Sequence, residues 1–428
     1  MDSGNKSSAT LVFGELLFLK LFQTFRMAIQ PSKLIITSAA LALISLSGWL
    51  MDFSQSVAVM RDDNGKIIKT ELDIYKSGAS YNVIREQIQN LRNLEERGGV
   101  FSILWSSSST CFKNAVDSVY AHNVLELVSN INAFFKSLEW ALRYHFIYCI
   151  IFFVIVLAVL SVAGGAICRM AALQNAQGEK PGLTQAVRFS LKRFTNLFSA
   201  PLTPFLIILV ISVFILLLGL IGNIPAFGEI IIGLGMPLVL FAGVLIAVVL
   251  IGAIGGLNLM FPAIAYDGSD NFDSISRSFS YVFARPWRML FYTAISAVYG
   301  SICYTFVRFV AFLSLSASRT FLRASIWTNN SGQQANKLDA IWPKPEFTNL
   351  FGFSDVTLTS GPEKIAHFLI YIFVLVVIGL VVSFIISFYF SANTIIYSLL
   401  RNKVDNTPIE DIYTDYNEAN AEITLPEN

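Results

Sequence analysis

The amino-acid sequence predicts an all-α polytopic membrane protein with six transmembrane helices. Of its 428 residues, 54% are hydrophobic and only 14% are charged, against roughly a quarter charged in an average globular domain. A mean hydropathy of +0.61 excludes an intrinsically disordered chain, a nucleic-acid binder and an ordinary cytosolic enzyme. Repeated basic stretches group the helices into three quasi-repeated hairpins. Each hairpin is predicted to follow a cytoplasmic interfacial amphipathic helix, and a mainly helical external cap completes the fold.

Six apolar stretches are long enough to cross a membrane, because about 30 Å of hydrocarbon requires roughly 20 helical residues. They cover approximately residues 34–51, 145–168, 202–222, 230–265, 289–315 and 365–398. The first stretch is the shortest. The fourth and sixth exceed a simple crossing, and Pro237 and Pro262 can kink the fourth.

The positions of Lys and Arg predict the orientation. Basic residues precede the first span and follow the second, fourth and sixth, whereas the short connection at 223–229 contains none. Basic connections are retained on the cytoplasmic side of a membrane. Both termini are therefore expected in the cytoplasm, and the protein is expected in the inner membrane of a bacterium. Residues 53–144 and 316–364 are expected outside.

The predicted organisation has six parts along the chain. They are the N-terminal interfacial helix with the first span (1–52), an external segment (53–144), and spans two to five (145–315), which include the interfacial helices, here called elbow helices, that precede spans three and five. An aromatic-rich external segment (316–364), the sixth span (365–403) and an acidic cytoplasmic tail (404–428) follow. Seven acids and no base follow Lys403, so we expect the tail to be solvated and mobile.

The first external segment carries its own local signals. Val57 to Leu72 is predicted as a hairpin that turns at 61–66. Apolar residues from Ile84 to Leu94 predict one face of a helix that ends at Gly98-Gly99, and a second helix is predicted over 112–141. The two external segments are expected to cover one another.

A basic, amphipathic stretch ending at a proline precedes spans one, three and five. The prolines are Pro31, Pro201 and Pro286, and Lys192 to Pro201 aligns without a gap with Arg277 to Pro286. Such stretches are typical of interfacial helices, with basic residues among the anionic headgroups and apolar residues below. The alternative is that any protein obeying the positive-inside rule has basic segments beside its spans. The candidate lipid-contacting residues are Lys20, Arg26, Arg188, Lys192, Arg193, Arg277, Arg285, Trp287 and Arg288.

Two short runs carry a resemblance to known proteins. The run Asp273 to Arg288 (DSISRSFSYVFARPWR) precedes the fifth span, and Asn393 to Tyr397 (NTIIY) ends the sixth. Together they resemble a loose group of bacterial six-span proteins, above all uncharacterised planctomycete-type membrane proteins. That group includes the membrane domain attached to some glycerophosphodiester phosphodiesterases. The resemblance implies the span layout and no catalytic residue, since the phosphodiesterase activity belongs to a separate soluble barrel.

Candidate chemical groups inside the spans are few. Arg308 is predicted as the one Asp, Glu, Lys or Arg well inside a span, close enough to the outer interface to extend outward or pair with an external acid. Asn258 is a second intramembrane polar candidate. The acidic run Asp267 to Asp273 could hold a divalent cation, but a turn followed by an Asp273 helix cap explains it more simply.

These observations favour a non-enzymatic membrane protein that organises the envelope or assists lipid handling or transport. No catalytic residue, metal site or cofactor is predicted. Membrane lipids are the expected partners, nucleic acid is not, and a protein partner at the external segments or the tail is left open. The alternative is a transporter or channel for a neutral or lipidic solute, lined by Asn258, Ser296, Tyr299, Tyr304, Thr305, Ser383, Ser387 and Asn393. A membrane enzyme using the acidic run ranks third.

Overall fold

The computed structural model describes residues 17–61, 67–93, 96–121, 123–225, 227–333, 335–352, 358 and 360–414. Six of its helices are long and apolar enough to cross a membrane, which confirms the predicted all-α, multi-pass class. They are α2 (Pro31–Met51), α7 (Phe146–Gln177), α9 (Phe194–Ile221), α10 (Phe227–Asp267), α12 (Pro286–Ser325) and α14 (Gly361–Val404).

Most of these helices extend beyond the predicted apolar stretches. The sixth has 44 residues, or about 66 Å at 1.5 Å per residue, roughly twice the hydrocarbon thickness. A helix continues wherever its backbone hydrogen bonds continue, whereas hydropathy reports only the part that lipid requires. In α10, both Pro237 and Pro262 lie inside one continuous helix.

The chain divides into two compact units. The first unit contains Met1–Ser38, Leu160–Thr305 and Val382–Asn428, and the second contains Ala39–Val159 and Phe306–Val381. In the first unit, the main apolar core is built around Tyr266, Tyr281 and Tyr397 with the aliphatic side chains Leu259 and Leu400.

Three short elbow helices of the first unit precede α2, α9 and α12. They are α1 (Thr24–Ala28), α8 (Leu183–Lys192) and α11 (Asn271–Ala284). A 3₁₀ helix at Leu17–Gln23 leads into α1, so the spacing of 100° per residue that makes an α-helix amphipathic does not apply there. Leu21 is buried, whereas the neighbouring Phe22 is 45% exposed.

The second elbow differs from the prediction that each elbow ends at a proline. Pro31 and Pro286 are the first residues of α2 and α12, where a missing N–H costs no helical hydrogen bond. Pro201, however, lies inside α9, and the chain leaves helical geometry eight residues earlier, at Arg193. The second and third copies therefore align in sequence, but their prolines take different positions in the structure.

Small residues allow α11 to pack closely on α10. A Cβ atom on Gly252 would lie 2.7 Å from the Phe279 ring, and one on Gly255 would lie 2.8 Å from Val282. The close approach at these glycines of α10 is made with the elbow helix α11. The apolar face of α11 therefore packs partly against protein.

The second unit contains the predicted hairpin. Strands β1 (Val57–Arg61) and β2 (Ile67–Thr70) pair antiparallel, and β3 (Arg97–Gly98) pairs with the other edge of β1. The predicted turn residues 62–66 lie outside the described residues.

The helices of this segment differ in their bounds. They are α3 (Glu71–Lys76), α4 (Tyr81–Arg92), α5 (Val100–Tyr120) and α6 (Val124–Tyr144). The predicted end of α4 at Gly98-Gly99 was wrong, since Gly98 belongs to β3. Where one helix was predicted over 112–141, two occur. Gly99 lies against Asp52, whose carboxylate accepts hydrogen bonds of 2.8 Å from the N–H groups of Phe101 and Ser102 and so starts α5.

A buried carboxylate holds the hairpin to the helices around it. Glu71 is fully buried, accepts hydrogen bonds from the Ala58 N–H (3.1 Å) and the Arg92 guanidinium (2.9 Å), and lies 3.9 Å from His145 Nε2. Burial lowers the pKa of His145, Glu71 opposes that shift and Arg92 adds to it. A neutral His145 beside the Arg92–Glu71 pair is the result.

Among its described residues, the segment 316–364 contains one short helix of its own, α13 (Lys337–Ile341). Asp339 in this helix pairs with Arg319 (2.5 Å) and Arg323 (3.1 Å) at the end of α12. Leu338, Trp342 and Leu350 form a core with residues of α12 and α14.

The glycine contact gives a paired prediction within one helix. We expect Gly252→Ala to lower the free energy of unfolding by about 1–3 kcal/mol, because the new methyl group overlaps the Phe279 ring. Gly243 is also in α10, and its added Cβ would meet nothing within 4 Å, so Gly243→Ala should stabilise by about 0.5–1 kcal/mol. Thermal midpoints of the purified full-length protein in one detergent measure both. Equal shifts would contradict the packing.

Candidate functional site

The predicted lipid-contacting residues divide into two groups by exposure. One group is exposed on or beside the elbow helices: Arg26, Arg188, Lys192, Arg285, Trp287 and Arg288. The Trp287 side chain is 79% exposed. The other group is partly buried: Lys20, Arg193 and Arg277. Within the described elbow residues 17–30, 183–193 and 271–288, Asp273 is the one acid, and it pairs with Arg277 (2.9 Å). The elbows therefore present mainly positive charge.

Arg193 and Arg277 contact protein rather than solvent alone. The Arg193 guanidinium lies over the ring of Tyr413 at 5.5 Å and donates to its hydroxyl at 3.3 Å. Burial acts to lower the pKa of Arg277, but the carboxylates of Asp267 and Asp273 outweigh it and raise the pKa. Both arginines consequently help to fix the elbow helices in place.

Asp267, the last residue of α10, is the centre of a buried charge network. Its side chain is 7% exposed and forms ion pairs with Arg401 Nε at 3.0 Å and with Arg277 Nη1 at 3.5 Å. The Tyr397 hydroxyl donates a hydrogen bond to Asp267 Oδ2. The contact between Arg401 Nε and Oδ1 is an ion pair without a hydrogen bond. One carboxylate thus joins α10, the elbow helix α11 and the end of α14.

The other acids of the run Asp267 to Asp273 have structural roles as well. Asp270, not Asp273, caps α11, since its carboxylate accepts a 2.8 Å hydrogen bond from the Asp273 N–H. The predicted capping function was correct and the predicted residue was wrong. Asp273 instead pairs with Arg277 one turn later. This arrangement does not favour the enzymatic reading of the run.

The chain after α14 folds back onto this network, which the prediction of a solvated tail missed. Ile409 and Ile412 are buried at 5% and 6% exposure. The Tyr266 hydroxyl donates to the Ile409 carbonyl, and Arg401 Nη1 donates to the Asp411 carbonyl at 2.7 Å. Residues 405–413 are therefore part of the first unit, and the predicted tail beyond 414 lies outside the described residues.

Further contacts tie the returning segment to α10 and α11. The Tyr413 N–H donates to the Tyr266 carbonyl at 2.9 Å. Gly268 has a φ of +64°, and a Cβ there would lie 2.6 Å from the Tyr413 ring, so only glycine suits this turn. The Tyr281 hydroxyl donates to Asp405, and burial followed by that carboxylate raises the pKa of Tyr281.

Lys33 is the least expected charged group of the first unit. The sequence prediction placed it outside the first span, but helix α2 begins at Pro31 and the Lys33 side chain is fully buried. Its ammonium has a hydrogen bond of 3.4 Å to Ser391 Oγ, and among the described residues no carboxylate pairs with it. The sequence prediction, which named Arg308 as the one charge well inside a span, missed this buried lysine in the first turn of α2. A buried charge in a membrane segment is a default functional hypothesis.

A stripe of buried hydroxyl groups on α14 lies alongside Lys33. Its members are one helical turn apart and at most 1% exposed: Ser383, Ser387, Ser391, Thr394 and Ser398. Ser383 shares a 2.9 Å hydrogen bond with Ser38, and Ser387 donates to the Ala28 carbonyl at 2.9 Å. The stripe therefore packs against α1 and α2. Two residues of the predicted transport path, Ser383 and Ser387, serve as packing contacts in this structure.

The two intramembrane polar candidates lie in different units. Asn258, in the first unit, accepts a hydrogen bond from the Tyr389 hydroxyl. Arg308, in the second unit, is 8% exposed and donates to the carbonyls of Phe347 (2.9 Å) and Thr348 (2.7 Å). These acceptors are backbone carbonyls of the segment 316–364, whereas the sequence predicted an acid.

Comparison with models of known families, with curated proteins and with solved structures finds no match to this chain. The resemblance to bacterial six-span proteins therefore stays a prediction.

The Asp267 network predicts unequal costs for two neighbouring carboxylates. Asp267→Asn should lower the free energy of unfolding by about 3–5 kcal/mol, because Arg401 loses its buried carboxylate partner and keeps only the exposed Asp411 at 3.5 Å. Asp273 is 44% exposed, so Asp273→Asn should cost less than about 1 kcal/mol. Thermal midpoints in detergent compare the two, and an Asp267→Asn protein as stable as Asp273→Asn would refute the network's importance.

For a substitution of Lys33 we expect the opposite effect, a gain in stability. Lys33→Met keeps an unbranched side chain of similar length and removes a buried charge without a carboxylate partner. We therefore expect the thermal midpoint to rise, corresponding to about 1–2 kcal/mol. Lys20→Met, at a half-buried position, serves as the control and should change little. A lowered midpoint for Lys33→Met would mean that the ammonium stabilises the fold.

Proposed function

We propose that this chain is a non-enzymatic integral protein of a bacterial cytoplasmic membrane. In this proposal it organises the membrane or assists lipid handling by holding anionic headgroups on its basic elbow helices. Both termini would lie in the cytoplasm, together with the three elbows. The observation that carries the proposal is the set of exposed basic side chains on the elbows, whose described residues include one acid, Asp273.

Charge and geometry together support headgroup binding. Arg188 and Lys192 are exposed near the end of α8, and Arg285 and Arg288 are exposed on either side of the start of α12. Trp287 lies between the last two and is 79% exposed, as suits an indole at a membrane interface. Each basic side chain near an anionic membrane surface contributes about 1 kcal/mol.

Rigidity supports the proposal in a second way. The Asp267 carboxylate pairs with Arg277 of α11 and Arg401 of α14, and Arg193 beside α8 contacts Tyr413 of the returning segment. The second and third elbows therefore belong to one fixed structure. A fixed array of positive charges binds headgroups with a smaller loss of conformational entropy than mobile side-chain tails would.

The test measures stabilisation by anionic lipid. Phosphatidylglycerol should raise the thermal midpoint of the detergent-purified protein more than phosphatidylcholine does. A variant with Arg188, Lys192, Arg285 and Arg288 all changed to Gln should lose most of that difference, which we expect to be up to about 4 kcal/mol at low salt and smaller at high salt.

The matched control changes four exposed basic residues of the second unit to Gln: Lys69, Arg85, Lys344 and Lys364. This variant should keep the full difference between the two lipids. The proposal would be wrong if both variants lost the same amount, or if the elbow variant retained the response to phosphatidylglycerol.

A further inference from the structure

Helix α6 of the second unit has two faces with different surroundings. One face packs against α3 and α5: Trp140 and Ala141 are fully buried, and Ser137 shares a 3.2 Å hydrogen bond with Ser107 of α5. On the opposite side, six apolar side chains are 46–71% exposed: Val124, Val128, Ile131, Phe135, Leu138 and Leu142. We call these six residues the seam. Because α6 lies outside the six candidate spans, an apolar surface of this kind marks a docking site.

The spacing of the seam residues indicates that a helix covers them. They follow one another at intervals of four, three, four, three and four residues, which is the a/d pattern of the heptad repeat in paired helices. At 100° per residue they fall within an arc of about 80°. A helix that packs on a globular core has a wider apolar face, whereas a strict a/d stripe is typical of a helix pair.

The residues that flank the seam favour a protein partner over the bilayer. Asn132 and Glu139 occupy e positions and are exposed, and burying such groups in hydrocarbon is costly. Leu125 and Phe134, at an e and a g position, are exposed as well. With roughly 100 Å² of exposed surface on each apolar side chain, the seam and these two flanking residues offer about 800 Å² per copy, which is the share of one partner in a standard interface.

A second copy of this chain is the partner that the membrane supplies in a matching orientation. Helix α6 ends at Tyr144, and after His145 the chain continues as α7, one of the six candidate spans. Copies inserted in one membrane share one orientation, so their α6 helices enter the bilayer from the same side and point the same way. A twofold axis along the membrane normal then brings the same face of both helices together.

We propose that two copies of the protein associate through α6 as a parallel, in-register helix pair. Each seam residue then packs against the same residue of the other copy, because the twofold axis runs along the seam. This inference does not depend on headgroup binding at the elbows, since the elbow helices belong to the first unit and α6 belongs to the second.

Cysteine crosslinking of the full-length protein in phosphatidylcholine vesicles tests the pairing. Leu138→Cys lies on the seam, and in a parallel pair its two copies face one another within reach of a disulfide. Ser129→Cys is the matched control, because Ser129 is exposed on the same helix but lies off the seam. On mild oxidation, Leu138→Cys should form covalent dimers at least about tenfold faster than Ser129→Cys, since pairing raises the local thiol concentration. The unsubstituted protein, with its four cysteines, gives the background.

The same crosslink reports the direction of the two helices. An antiparallel pair centred on the seam would hold the two copies of residue 138 about 15 Å apart, at 1.5 Å per residue, which is beyond the reach of a disulfide. A charge in the seam provides a second test. Adding Ile131→Glu to Leu138→Cys should reduce the crosslinking rate to that of Ser129→Cys, whereas adding Ser129→Glu should leave it unchanged. Both positions are exposed, and thermal midpoints check that each variant is folded.

Thiol accessibility distinguishes a second copy from lipid as the group that covers the seam. In nanodiscs that hold a single copy, a water-soluble maleimide should label Ile131→Cys as fast as Ser129→Cys. In nanodiscs that hold two copies, Ile131→Cys should be labelled several-fold more slowly while Ser129→Cys is unaffected.

Any of three results excludes the proposal. The first is equal crosslinking of Leu138→Cys and Ser129→Cys. The second is crosslinking of Leu138→Cys that persists when Ile131→Glu is added. The third is slow labelling of Ile131→Cys in single-copy nanodiscs, which would show that the bilayer covers the seam.

Discussion

The pairing of Asp267 with Arg401 is the interaction on which the first unit depends. Removing two charges from water costs several kcal/mol each, and only close partners offset that cost. Asp267 obtains them from Arg401, Arg277 and Tyr397. Since those residues belong to α11 and α14, satisfying one carboxylate fixes the elbow helix, the last span and the segment that returns over them. The exposed basic residues of the elbows then keep fixed positions.

Lys33 and the hydroxyl stripe of α14 show a different balance. These polar groups are buried between helices, at positions where apolar side chains could pack instead. The hydrogen bond from the Lys33 ammonium to Ser391 is long. Hydroxyl groups can bond to the helix's own carbonyls, as Thr394 does to Phe390, so a serine stripe costs little inside a membrane protein. A charge cannot be satisfied in this way. Packing alone therefore does not explain why a lysine occupies position 33.

Local composition made the six spans predictable, because crossing hydrocarbon requires an uninterrupted apolar run and little else. The hairpin at Val57 was equally readable from its turn residues. Contacts between distant parts of the chain were not readable. Nothing near Asp267 in the sequence indicates Arg401, and Lys33 resembled an ordinary basic flank until the helix start at Pro31 was known. Ile409 and Ile412, three residues apart among acids, were the available signal that the tail packs.

The order of synthesis adds a consequence to the Asp267 network. Tyr397 follows Asp267 by 130 residues, and at about 5–20 residues per second the ribosome needs roughly 7–26 s to cover that distance. The fourth span and Arg277 are therefore made well before Tyr397 and Arg401, the other two partners of the Asp267 carboxylate. Two further membrane helices are synthesised during this interval. Closure of the first unit's core is thus coupled to near-completion of the chain, and the last helix to emerge completes it.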